Sequence, residues 1–377
     1  MIPYGRQSIS DDDIESVVQV LRSDLITQGP TVPLFEEVVA GYCGAKYGVA
    51  TTNATSALHV ACLALGLRRG DLVWTSPNTF AASANCALYC GANIDFVDID
   101  PVTYNLSVAS LRRKLEDAEK TGKLPKIVIP VHFAGQSCEM KEIATLSKYY
   151  GFRVLEDASH AIGGRYRGQP VGNCRYSDIT VFSFHPVKII TTGEGGMITL
   201  NGNGVKHYEK LKELRSMGQR ERYHHVSLGF NYRMNDIAAT LGIEQLKKVN
   251  YIIERKNEIV KRYNASFVKN PLIKTPHIPD YATQHSWYMY MITLDESINR
   301  DNVVKFLAEE GIETRCSFPP MHIQPAIIEY MKDRKDSLAL DDTFSAWQKI
   351  INLPIWAELS SSDQDFVIDA VNQIVRV

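Results

Sequence analysis

The chain has 377 residues, 45% apolar and 22% charged, and its 41 basic against 43 acidic side chains leave a formal charge of −2. That is the composition of a soluble globular protein long enough for two domains. The even charge balance excludes the basic face of a nucleic-acid binder, and no stretch is long and apolar enough to cross a membrane.

The start, Met1-Ile2-Pro3-Tyr4-Gly5-Arg6, lacks the apolar core of a secretory leader. The seven cysteines are scattered. Cys86 and Cys90 stand one helical turn apart, but no second pair joins them at zinc spacing, so reduced thiols in a cytoplasmic protein are expected.

Ser10 precedes Asp11-Asp12-Asp13 as an N-cap, and Ile14, Val17, Val18 and Leu21 recur at helical spacing. After Thr27-Gln28-Gly29-Pro30 a second helix is expected over about 33–42. From residue 48 the pattern alternates. Strands are expected at 48–51, 72–75, 94–97, 126–131, 153–155, 180–183 and 197–200, with helices at 55–65, 81–90 and 140–150. Short apolar strands alternating with helices predict an α/β fold with a mostly parallel mixed sheet covered by helices. The tight return before 197–200 predicts one antiparallel member. A single long helix is expected over 236–267, then a link over 271–279. A strand at 286–294 and helices at 300–310 and 363–375 complete a smaller α+β unit. The domain division expected is 1–250 and 251–377.

Five segments carry chemistry. Asn53-Ala54-Thr55-Ser56-Ala57 places small hydroxyls at a helix start, which makes an anion site or a plain N-cap. Glu156-Asp157-Ala158-Ser159-His160 follows an apolar strand, where open α/β sheets bind ligands. Either carboxylate there could hold a protonated ring nitrogen, ligate a metal or cap a helix. Lys188 follows the strand ending at Ser183 and precedes Gly193-Glu194-Gly195-Gly196, where Glu194 reads as a structural part of the turn. A lysine desolvated in such a place becomes a nucleophile and a Schiff-base former. Asn231 and Arg233 lie before the 236 helix, and His322 follows the rigid pair Pro319-Pro320. A phosphate cup, a strand-end carboxylate, then a serine and a lysine, in that order on an α/β framework, is the layout of a fold-type I pyridoxal-phosphate enzyme.

The runs 53–59, 156–161, 182–196 and 231–234, with 27–30 and 318–325, resemble the sugar aminotransferases of the DegT/DnrJ/EryC1/StrS family across essentially the whole chain. The resemblance implies pyridoxal 5'-phosphate bound to Lys188, with Asp157 on the ring nitrogen and Phe80 stacked on the ring. It assigns the phosphate to Thr55, Ser56 and Ser183, with Asn231 arriving from a second subunit of a homodimer. His160 would meet the ring hydroxyl, and His185 and His322 the substrate. The runs 157–161 and 183–188 are most similar to the branch that serves pseudaminic acid biosynthesis. Its members move an amino group, here from L-glutamate, to C4 of a UDP-linked 4-keto-6-deoxy-N-acetylhexosamine. A related sugar dehydratase would carry histidine in place of Lys188. A nicotinamide oxidoreductase would need a G-x-G-x-x-G after an early strand, and none is present. A non-catalytic pyridoxal-phosphate-binding regulator would need an appended DNA-binding segment.

Overall fold

A computed structural model describes residues 1–202, 205–332 and 340–376. The chain opens with two helices, α1 (Asp11–Leu21) and α2 (Thr31–Cys43). There follow β1 (Tyr47–Thr51), α3 (Ala54–Ala64), β2 (Leu72–Thr75), α4 (Ala82–Tyr89), β3 (Asn93–Phe96), α5 (Val108–Thr121), β4 (Ile127–Ile129), α6 (Met140–Tyr150) and β5 (Arg153–Asp157). A short hairpin, β6 (Arg165–Tyr166) and β7 (Gln169–Pro170), precedes β8 (Ile179–Ser183) and β9 (Gly196–Leu200). Then come α7 (Val205–Arg215) and a second hairpin, β10 (Gln219–Glu221) and β11 (His224–His225).

The seven main strands form one sheet in the order β1-β9-β8-β5-β4-β2-β3. β9 is antiparallel to both neighbours, while β2, β3, β4, β5 and β8 pair in parallel. The expected single reversed strand on a parallel framework is therefore observed. β8 and β9 are buried along their whole length, as strands covered on both faces must be.

The expected helix over 236–267 is two helices, α8 (Asp236–Lys247) and α9 (Val249–Phe267). The break has a local cause. The Lys248 N–H donates to Gln245 O, three residues back, which tightens and ends the ladder. The Lys248 ammonium meanwhile pairs with buried Asp13, which also accepts the Ser10 N–H at 2.7 Å and so closes the cap of α1.

The second sheet is antiparallel, in the order β12 (Ile273–Lys274), β13 (Tyr290–Leu294), β14 (Ile350–Leu353). Its helices are α10 (Arg300–Glu309), α12 (Asp341–Lys349) and α13 (Ser361–Ile374), whereas α11 (Pro325–Met331) returns to the first sheet's core through Ile327. Tyr263, Phe267, Tyr290, Ile292 and Val367 form its core with almost no exposure. The strand expected from 286 starts only at 290, because the preceding backbone bonds elsewhere. Ser286 N–H donates to Gly135 O at 3.1 Å and Met289 N–H to Ala134 O at 3.2 Å. The first residues of the chain also join this unit, with the Ile355 N–H donating to Tyr4 O at 3.2 Å. The apolar pattern does not announce α5, α7, α11, α12, β12, β14 or the two hairpins. In α5 only Leu111, Leu115 and Ala118 are buried, one residue per turn.

Asp236 locks the start of the chain to α8. Its buried carboxylate accepts the N–H groups of Gly29 at 2.7 Å, Thr31 at 3.0 Å and Val32 at 3.1 Å. An Asp236→Ala variant strands these donors, and a loss of about 3 kcal/mol is expected. Urea unfolding measures it, and an unchanged midpoint would contradict this role.

Candidate active site

β8 delivers the lysine. Ser183, its last residue, pairs with Gly196 at the start of β9. The loop between them is stiff. Phe184 O accepts the Thr192 N–H at 2.9 Å and the Thr191 hydroxyl at 3.1 Å, and Gly193 N–H donates to Thr191 Oγ1 at 2.9 Å. Glu194 serves this turn through its carbonyl, which accepts the Thr192 hydroxyl at 2.8 Å, while its carboxylate stays exposed. Lys188 sits half-buried on the loop, with Nζ 4.2 Å from the ring centroid of Tyr288. Burial lowers its pKa to about 8, against the opposing pull of the Asp157 carboxylate.

At the end of β5 successive side chains take opposite faces of the sheet. Glu156 turns to a structural cluster. It accepts from Thr180 at 3.0 Å, from Ser177, and from His132 Nε2 at 2.7 Å. His132 Nδ1 accepts the Cys138 N–H at 3.1 Å, so the ring proton sits on Nε2 and is donated to Glu156. Burial raises the Glu156 pKa, but these donors outweigh it and hold the group below its ordinary value. Asp157, by contrast, belongs to the lysine's side. Its Oδ2 accepts the Ser83 hydroxyl at 2.5 Å and its Oδ1 the Ser159 N–H at 3.0 Å.

His160 is buried and stacks on Tyr288, with centroids 4.1 Å apart and planes inclined by 22°. Its Nδ1 is buried with no partner among the described residues. Burial, and then the nearby Lys188 cation, hold this ring neutral, its pKa well below the ordinary value. An unpartnered imidazole nitrogen, a carboxylate and a depressed amine thus converge beyond the carboxyl ends of the parallel strands. Among the described residues no group of His, Cys, Asp and Glu could hold a metal ion.

The helix α3 closes the other side. Asn53 Oδ1 accepts the Ser56 N–H at 2.8 Å and the Ser56 hydroxyl donates back to Asn53 O at 2.8 Å, a reciprocal cap. Ser56 Oγ is therefore already engaged, whereas the hydroxyls of Thr55 and Ser183 have no partner among the described residues. The helix start presses on the β8–β9 return. A Cβ added to Gly196 would fall 2.5 Å from Asn53 O and 2.7 Å from Ala54 N. This close approach, not a special dihedral, requires glycine there. It brings the Thr55 cup beside Ser183.

Phe80 stands just before α4 and is 58% exposed, with its ring 6.1 Å from Phe318. Met321 N–H donates to Pro77 O at 2.8 Å, which seats the 318–322 turn beside the Phe80 loop. His322 is half-buried there with an unpartnered Nδ1, whereas His185 is exposed, 4.0 Å from Glu194. Asn231 is exposed too, although Tyr232 beside it accepts the Thr52 N–H at 2.9 Å. Ser83 and Tyr288 are not among the residues singled out from the sequence, and Phe318 lies in the 318–325 run without a role of its own there. Ser83, one turn beyond Phe80, had a local signal in that spacing. Tyr288 had none, because it enters through a distant crossing of the chain.

Residues 7–372 match the model of the DegT/DnrJ/EryC1/StrS aminotransferase family. The chain is 35% identical to the UDP-4-amino-4,6-dideoxy-N-acetyl-beta-L-altrosamine transaminase of Campylobacter jejuni, covering 100% of this chain and 98% of that protein. It is 37% identical to the GDP-perosamine synthase of Caulobacter vibrioides, over 90% of this chain and 89% of that one. Among solved structures, Helicobacter pylori PseC, an aminotransferase involved in the biosynthesis of pseudoaminic acid, superposes with a TM-score of 0.89 at 27% identity, covering 99% of each chain. The chain belongs to the DegT/DnrJ/EryC1/StrS aminotransferase family and is a pyridoxal-phosphate-dependent sugar aminotransferase.

Proposed function

We propose that this enzyme transfers an amino group from L-glutamate to C4 of a UDP-linked 4-keto-6-deoxy-N-acetylhexosamine, in the manner of pseudaminic acid biosynthesis. The observation that carries the reaction is the half-buried amine of Lys188, depressed to about 8 and facing Asp157 and His160. The sugar rests on the full-length similarity to the C. jejuni altrosamine transaminase. A second reading, amination of a perosamine-type 4-keto sugar, is favoured by the 37% identity to the Caulobacter synthase.

Bound pyridoxal phosphate supplies a carbonyl for the amine and a ring that withdraws electrons as a C–H bond breaks. Lys188 Nζ is the nucleophile toward that carbonyl. Once released, an amine with this pKa can both take and return a proton near neutral pH, as carbon-to-carbon proton transfer requires. Asp157, fixed by Ser83 and the Ser159 N–H, offers one buried negative charge to a protonated ring nitrogen. His160 Nδ1 is available to the ring hydroxyl. The dipole at the start of α3, with the unpartnered hydroxyls of Thr55 and Ser183, favours the phosphate, while Ser56, expected to join them, spends its hydroxyl and N–H on Asn53 and holds the helix start in place. Phe80 offers an exposed ring to the cofactor face, and His185 and His322 flank the sugar.

We assign the enzyme as a cytoplasmic homodimer with shared sites. Asn231 is exposed and would reach the cofactor phosphate of the second subunit. Exposed Leu21, Leu25, Ile26 and Leu34 supply apolar surface for a partner. Free thiols at all seven cysteines suit a reducing compartment. We place the division between a cofactor-binding and a smaller C-terminal domain at residues 250/251, in the first turn of α9 and close to the break at Lys248.

The purified chain, offered glutamate and a panel of 4-keto and 3-keto nucleotide sugars, is expected to give the 4-amino product from the UDP-linked 6-deoxy-N-acetyl sugar, identified by mass spectrometry and NMR. Preferential amination of a GDP sugar would overturn the first reading for the second. Lys188→Ala should form no product, and wild-type turnover by it would sink the assignment. Asp157→Asn should lose on the order of a hundredfold or more in kcat. Ser83→Ala should weaken cofactor retention by about five- to tenfold, read from absorbance on dilution.

A further inference from the structure

Tyr288 lies in no segment assigned a role by the sequence, yet its ring lies against the Lys188 amine. Nζ stands 4.2 Å from the ring centroid, inside the range in which an aromatic face attracts a cation. The same ring is stacked on His160 at 4.1 Å. It is also firmly held. Lys256 Nζ donates to Trp287 O at 3.0 Å, and the Trp287 indole N–H donates to Asn257 Oδ1 at 2.7 Å, both from α9. From the other side, Ser286 Oγ donates to His160 O at 2.7 Å. Gly135 admits this crossing only because it lacks a side chain, since a Cβ there would fall 2.3 Å from Ser286 Oγ and 3.1 Å from Tyr288 N. Three separate parts of the chain fix one ring under one amine.

We propose that Tyr288 is a positioning residue whose ring face seats the Lys188 ammonium whenever the amine is free, keeping it beside Asp157 and His160 between its two bonding events. The need follows from burial. A half-buried ammonium has lost part of its hydration, and the Lys188 ammonium makes no hydrogen bond to the described residues in exchange. An aromatic face replaces hydration without donating or accepting a proton, so it holds the cation and leaves the amine free to react. A carboxylate in the same place would hold it too tightly as the ammonium. The charged and titratable groups facing the pair are Asp157 from β5, neutral His160, and Arg315 and Tyr4 beside Tyr288. This inference rests on Lys188 as the reacting amine, but its test reads the amine itself and not turnover.

The full-length chain without cofactor is labelled with trace acetic anhydride from neutral to alkaline pH, and Lys188 acetylation is quantified by mass spectrometry against the other lysines of the same digest. The wild-type midpoint is expected near 8. Removing the ring destabilises the cation, so Tyr288→Leu should lower the midpoint by about half to one and a half pH units. Labelling at neutral pH should rise about three- to eightfold accordingly, the ceiling being set by the amine already free in the wild type, about a tenth. Tyr288→Phe keeps the face and should follow the wild type. Fluorinated phenylalanines at 288 keep the shape but drain the face, and each added fluorine should lower the midpoint further. This series decides the matter alone if Tyr288→Leu does not fold. A midpoint indifferent to leucine or to fluorine overturns the proposal, and so does a Tyr288→Phe shift as large as that of leucine.

Discussion

A buried carboxylate needs donors or counter-charges, and the surroundings of Asp157 are arranged to meet that need. The group lies at the end of a central strand with 4% of its surface exposed. In such a place an unpaired charge is too costly to keep. Its backbone is bound on both sides, with its N–H to Pro130 O and its C=O accepting from His132. Its two oxygens recruit Ser83 from α4 and the Ser159 N–H from the next turn. The Lys188 cation completes the set from the β8–β9 loop. Helix, strand end and loop are thus placed by the solvation of one side chain. Glu156, its neighbour in sequence, solves the same problem on the other face with His132 and two hydroxyls, and takes no part in the cleft.

The legible parts of the molecule were those whose physics is local. Alternation of apolar strands and helices, the Ser10 and Asn53 caps and the lysine after a buried strand are all set by residues within a few positions of one another. Where backbone bonding is decided by distant partners, the pattern fails. Residues 286–289 have strand composition, yet Gly135 and Ala134 take two of their N–H groups. The 236–267 segment has unbroken helical periodicity, yet its ladder closes early at Lys248, whose ammonium is drawn to Asp13 in α1. Tyr288 was invisible for the same reason. Nothing near it in sequence says that it will lie under a lysine one hundred residues earlier. Spacing alone leaves Glu156 and Asp157 equivalent; the resemblance picks Asp157, and the strand's two faces supply the physical reason.

The aromatic groups along one side of the cleft form a connected series. Phe80 meets Phe318 at 6.1 Å, Phe318 meets His160 at 6.0 Å, and His160 meets Tyr288 at 4.1 Å. These rings come from α4's leading loop, the 318–322 turn, the β5 loop and the segment before β13. Parts of both sheets' surroundings therefore share one apolar wall, which lowers the local dielectric around the amine and strengthens each charge interaction inside it.

The bare backbone contact at Gly196 acts as a gauge block. The spacing between the α3 helix start and the β8–β9 return is set by main-chain atoms touching main-chain atoms, and no rotamer change can alter it. Under the proposed assignment, the Thr55 half of the cleft, held at this fixed spacing, is mechanically separate from the exposed rim. Drift at an exposed rim position such as His185 can proceed while the gauge keeps its length. A scaffold divided this way can change its customer without recalibrating its tool.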